Sequence, residues 1–250
     1  MNDIASRLDK EGLTALRLVS QKMNKVAGGQ IVFKLKPGDD FDKAVHVFRE
    51  SKHLELNADQ CDLSAAQIEA LATNPGLRSL SLKMNKSFFT SPDALKTLGT
   101  IASIEALSLD GRHIDVDTAT ALAANPTLKS LSAGGNNVSA RAAAILASSK
   151  TLTSLSLLDR VLEQRVLAAL SKNTTLTTLA IQDTRPMKAL QLLKANETLV
   201  SLELHISHVS DTEAFQLAAD GRVTFLRVRA LGPAAQAALV AAGCRVVITG

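Results

Sequence analysis

The stretch Leu152-Thr153-Ser154-Leu155-Ser156-Leu157 decides how this chain is read. It carries an aliphatic residue, two others, Leu, one other, then a second aliphatic. The same spacing stands at Leu77, Leu80, Leu82, at Ile104, Leu107, Leu109, and at Leu128, Leu131, Ala133. It returns at Leu176, Leu179, Ile181, at Leu199, Leu202, Leu204, and at Val223, Leu226, Val228. The starting positions step by 27, 24, 24, 24, 23 and 24 residues. A weaker copy sits at Leu54 and Leu56, and Val246 to Ile248 reads as a last short strand. Residues two apart on a strand share a face, so each copy offers one apolar edge. One such strand cannot stand alone. Stacked copies pair into a parallel sheet of about seven to nine strands, with the leucines as an inner ladder.

Between these copies lie Ala- and Leu-rich segments such as Thr118 to Ala124, Arg141 to Ala147 and Val166 to Leu170. Both residues favour helix, and the spacing buries one helical stripe. Ser64, Asp117 and Ser139 stand where N-caps are wanted. Asn74, Asn125, Asn173 and Asn196 stand where each helix stops, and the left-handed tolerance of Asn suggests that they end it. Each repeat is then strand, loop, helix, turn. The class is α/β: a leucine-rich-repeat solenoid, or horseshoe, with a parallel sheet on the concave side and helices on the convex side. A doubly wound domain would have longer, continuously apolar strands and no fixed period.

The totals agree. Of 250 residues 46% are apolar but only 3% aromatic, with no Trp and no Tyr, so the core is aliphatic and layered. That shortage removes the stacking platforms of nucleic-acid readers. The net charge of +4 is spread without a basic run, so no nucleic-acid partner is expected. No membrane-length apolar run and no signal peptide occur, so no membrane association is expected. Cys61 and Cys244 belong to no CxxC pair and read as reduced structural thiols.

Catalytic patterns are absent. There is no GxSxG, HExxH or P-loop. His205 and His208 lie close in sequence without a further ligand at metal spacing. Cys61 has no evident base and stands beside Asp62. No enzyme activity, cofactor or metal is expected.

Binding is the remaining reading. Strand positions between the buried leucines point to the concave face. One column reads Ser81, Ser108, Ser132, Ser156, Ala180, with Glu55, Glu203 and Arg227 at its ends. The next reads Asn57, Lys83, Asp110, Gly134, Leu158, Gln182, His205, Arg229. Lys83, Asp110, Leu158, Gln182, His205, Arg227 and Arg229 are the candidate partner-binding residues. The loop residues Met84, Arg112, His113 and Arg160 would extend that surface.

With these residues in view, the chain resembles leucine-rich-repeat proteins of the ribonuclease-inhibitor-like kind, and most of all the bacterial GALA repeats. The resemblance covers about residues 50 to 250. Residues 4 to 27, with Leu8, Leu13, Leu16 and the run Leu18-Val19-Ser20, are similar to the later part of an F-box. The opening Leu-Pro and the aromatic expected near Met23 are missing. The repeat Asn that bonds neighbouring loops stands at Asn85 and Asn136, but Arg112, Arg160, Thr184, Ser207 and Leu231 replace it elsewhere. The resemblance implies an effector made in the bacterial cytoplasm, secreted to the host cell interior for virulence, where it binds a host protein. It also implies that Leu8, Leu13, Leu16 and Leu18 contact a Skp-type adaptor, making the chain a substrate receptor of an SCF-type ubiquitin ligase. The alternative is a plain binding or inhibitor scaffold, with the N-terminus as a cap only. Two parts are expected: residues 1–30 as a helical cap resembling a truncated F-box, and residues 31–250 as about eight repeats. The chain is expected to be a monomer. The leucines of the first part are expected to pack around Ile31, Phe33 and Leu35, leaving adaptor binding weak until a Leu-Pro helix is added.

Overall fold

The structure is a computed structural model. It describes residues 23–25, 31–34, 54–57, 64–82, 92–109, 114–134, 138–158, 163–183 and 186–249. Its strands are β1 (Met23–Lys25), β2 (Ile31–Lys34), β3 (Leu54–Asn57), β4 (Leu77–Ser81), β5 (Ala106–Ser108) and β6 (Ser130–Ser132). They continue as β7 (Ser154–Leu157), β8 (Thr178–Asp183), β9 (Ser201–Ile206), β10 (Val223–Val228) and β11 (Arg245–Ile248). The helices between them are α1 (Ala65–Ala72), α2 (Pro92–Leu98), α3 (Val116–Ala124) and α4 (Ala140–Ala147). Then follow α5 (Gln164–Ser171), α6 (Pro186–Ala195), α7 (Asp211–Asp220) and α8 (Pro233–Ala241).

All the strands form one 11-stranded sheet in chain order. From β2 onward every pairing is parallel; only β1 runs antiparallel to β2. This is a leucine-rich-repeat solenoid. It extends two strands further toward the N-terminus than the repeat spacing shows, because β1 and β2 lack the leucine signature. Met23–Lys25 is strand, so the helical expectation for residues 1–30 does not hold at its C-terminal end. Leu8, Leu13, Leu16 and Leu18 lie outside the described residues.

The leucine columns stack as the period requires. Leu80, Leu107, Leu131, Leu155 and Leu179 are partners in successive ladders and are all buried. Leu202 continues the column beside Leu179. They share one core with the inward helix residues, among them Leu122, Leu146 and Leu170. Strand leucines and helix leucines meet in that core, which places the helices on one face of the sheet and leaves the alternate strand residues on the other. Small Ala positions let the helices approach. At Gly99, just after α2, the approach is closer still: a Cβ there would lie 2.6 Å from the Ala121 backbone.

The caps agree with the sequence in part. Ser64 and Ser139 accept from the backbone of Gln67 and Ala142. On α3, however, the cap is Asp115, which accepts from Thr118 N at 2.7 Å, and Asp117 sits in the first turn. Both acids suit a helix N-terminus, so composition alone could not choose between them.

Asn125 departs from the expectation that the asparagines end their helices left-handed: its φ is −63° and its ψ 124°. The left-handed helix stops are Gly221 and Gly243. The asparagines instead tie repeats together through their side chains. Asn173 Nδ2 donates to the carbonyls of Ala147 and Ser149 in the preceding repeat, each at 2.9 Å. Its Oδ1 accepts from Thr175 N and Leu176 N at 2.8 and 2.7 Å. Asn125 and Asn196 make the same set of contacts. All three amides are buried, so each satisfies backbone groups that water cannot reach. Ser149 stands in for Asn in its repeat, donating to Ala123 O.

One repeat later an arginine takes over. The Arg222 guanidinium donates to the carbonyls of Asn196 and Leu193 and to both oxygens of Asp220. The hydrogen bond from Arg222 holds the Asp220 carboxyl below its ordinary range. A carboxylate with a lowered folded pKa adds stability above the unfolded value and loses it as the pH falls. The C-terminal repeats are therefore expected to loosen on acidification through the carboxylate range. In Asp220→Asn that part of the pH dependence should vanish, as followed by hydrogen exchange in β9 and β10.

Candidate functional site

The candidate site is built by the strand residues that alternate with the buried leucines. In the central strands they are small. Ser81, Ser108, Ser132, Ser156 and Ala180 are successive ladder partners, each half-buried. Beside them run Ser79, Ala106, Ser130, Ser154, Thr178 and Ser201. Neighbouring strands lie about 4.8 Å apart, so these form a smooth, hydroxyl-rich floor.

Toward the C-terminal end the floor rises. Ala180 is followed in its column by Glu203, Phe225 and Arg245. The next column brings together Gln182, His205, Arg227 and Val247. His205 Nε2 lies 2.8 Å from Glu203 Oε1. Its ring packs against Phe225, with centroids 5.7 Å apart and planes at 46°. The imidazole is thus held from two sides before any partner arrives, which limits the side-chain entropy lost on contact.

The candidate residues fare unequally. Gln182, His205 and Arg227 stand side by side. Arg227 was expected beside Glu203, and Arg229 beside His205. The register places Arg227 beside His205 instead, while Arg229 lies exposed just beyond β10, outside the column. The two strands pair two residues out of step with the repeat spacing: Leu226 partners Leu204 rather than Leu202, and an offset is already present where Val223 partners Leu202. Thr224 is the extra residue of a bulge, which lets Val223 and Leu226, three residues apart, both face inward. A similar shift at β3 pairs Leu56 with Leu80, setting Asn57 beside Ser81 rather than beside Lys83. Leu158 is half-buried in the turn after β7. Lys83 and Asp110 lie outside the described residues, as do Met84, Arg112, His113 and Arg160. Phe225 was missed. Its face was legible, because it stands beside the inward Leu226 and two residues before Arg227; only its neighbours Glu203 and Arg245 depend on the register.

No family model matches the chain, and no curated protein does. Among solved structures 44 chains match. One is the actin-binding site 2 of leiomodin-1, at 22% identity and a TM-score of 0.39, covering 54% of this chain and 88% of that one. The actin site named there is leiomodin's own.

Among the described residues no group of three His, Cys, Asp or Glu could hold a metal ion. Cys244 is buried without a disulfide, and burial pushes its thiol up to about 11, which keeps it in the unreactive protonated form. Cys61 lies outside the described residues. Among those described, no helix is long and apolar enough to cross a membrane.

Proposed function

We propose that this protein is a non-catalytic scaffold that holds another protein against the open face of its sheet. The observation that carries the reading is the contrast along that face. A smooth serine floor runs into a wall of Glu203, His205, Phe225 and Arg227, a mix of charge, ring and hydrogen-bonding groups suited to hot-spot contacts. A protruding element of the partner would rest on the floor and be read by the wall.

The test is affinity capture from the natural host followed by direct binding with the purified partner. Arg227→Glu, and Ser156→Arg to fill the floor, should each weaken binding about tenfold or more, the scale of a hot-spot loss. Retained affinity in both variants would sink the reading.

The finer form of the proposal is a bacterial effector that brings a host protein to a ubiquitin ligase. It is supported by the likeness of residues 4–27 to an F-box and of the repeats to GALA proteins. Calorimetry with a purified Skp-type adaptor tests it, on the full chain and on the same chain with a Leu-Pro-containing helix added upstream of Ile4, where binding is expected to be restored. Binding that is lost on Leu16→Asp supports the ligase role, and no binding leaves the plain scaffold.

A further inference from the structure

The outer surface of α3, α4 and α5 differs from an ordinary solvated helix face. Such faces carry interspersed charges of both signs. Here α4 has a single charged residue, Arg141, and its outer side otherwise offers Ala144, Ile145 and Ser148. Together with Ala123 and Ala124 of α3 they floor an open groove of about 610 Å³. Three cations stand around it. Arg141 and Arg165 occupy matching places at the starts of α4 and α5, and Lys150 lies in the turn after α4. All three are exposed, and none is ion-paired among the described residues. The acids carried by the starts of α3 and α5, Asp117 and Glu163, sit at or beside helix N-termini, where the helix dipole already favours them.

We propose that this groove is a second docking site, which takes an acidic peptide segment of a partner protein. Its apolar side chain would lie on Ala144 and Ile145, and carboxylates on either side would meet Arg141, Arg165 and Lys150. Charge complementarity selects this occupant. Arg141 and Lys150 stand at opposite ends of α4, whose eight residues rise about 12 Å, a span that one short peptide covers. Three cations are few for nucleic acid, whose binding rests on many phosphate contacts and on stacking that this groove cannot offer. They are also fewer than the clusters of 4–8 basic residues, roughly, that read anionic membranes. Thr120, Ser148 and Thr151 add hydroxyls at the rim. The site lies on the face opposite the serine floor, so one chain could hold two segments at once.

The probe is a short fluorescein-labelled peptide with leucines at i and i+4 among glutamates, followed by fluorescence polarisation with the full chain. Binding should weaken as salt rises, and should fall about tenfold or more in the double variant Arg141→Glu, Arg165→Glu. Lys150→Glu alone should give a smaller loss in the same direction. Ile145→Asp should weaken binding as well, which a purely ionic encounter would not show. Arg227→Glu should leave it unchanged, which separates this site from the open face. Equal binding of the same peptide with Gln for Glu would overturn the proposal. So would unchanged affinity in the charge-reversed variants, no binding of the acidic probe, or capture of phosphatidylserine vesicles in its place.

Discussion

Asn173→Ala is expected to destabilise the protein by about 3–5 kcal/mol, a loss at the upper end for a single residue. The substitution removes two donors and one acceptor from a buried site. It orphans the carbonyl of Ala147 and the amides of Thr175 and Leu176, and leaves the Ser149 carbonyl with the Thr175 hydroxyl as its remaining side-chain donor. Each buried group left without a partner costs roughly 1–3 kcal/mol, and some water entry keeps the total below a full sum. Asn173→Ser provides the control. Ser149 already fills the equivalent place one repeat earlier, with one donor and contacts to Thr151 N and Leu152 N. The serine variant should therefore lose distinctly less than the alanine variant. Asn173→Asp keeps the shape but sets a carboxylate against two carbonyl oxygens, and should be as damaging as alanine. Urea melts measure all three. A loss below about 0.5 kcal/mol for Asn173→Ala would show that the ladder of amides is not what joins the repeats.

Leu155→Ala should cost about 2–5 kcal/mol, the range for emptying a packed core position. Leu155 is buried between Leu131 and Leu179 in the ladder and belongs to the single core that joins strands and helices. In a stack each repeat contacts only its neighbours, so damage at β7 weakens two interfaces at once and leaves the ends intact. The urea transition is expected to broaden as well as to move. Hydrogen exchange should then resolve the repeats before β7 from those after it. A sharp transition at an unchanged midpoint would contradict the burial of this column.

The two substitutions probe parts of the fold that differed in legibility. The leucine column follows from spacing, because a strand has a period of two and a repeat a period near 24. The asparagines were visible as a recurring residue, but their role was not. A sequence shows that Asn recurs before a turn, and left-handed tolerance is one local reason for that. The actual reason is contact with the preceding repeat, some 24 to 26 positions away for Asn173, which local propensity does not contain. Arg222 makes the same point. Nothing in its residue type marks it as the successor of an amide.

What the sequence by itself determined is the architecture: the parallel stacking, the helices between strands, the aliphatic core and the smooth face of small residues. These depend on which positions are apolar, and burial of that pattern leaves few alternatives. What only the tertiary structure decided is which residues meet on the binding face. The register of β10 on β9 sets Arg227 next to His205, brings Phe225 onto the ring of His205, and leaves Arg229 out of the column. An offset of two residues keeps every side chain on its own face and so leaves no trace in the apolar pattern; pairing between strands, rather than spacing along the chain, sets which residues become neighbours.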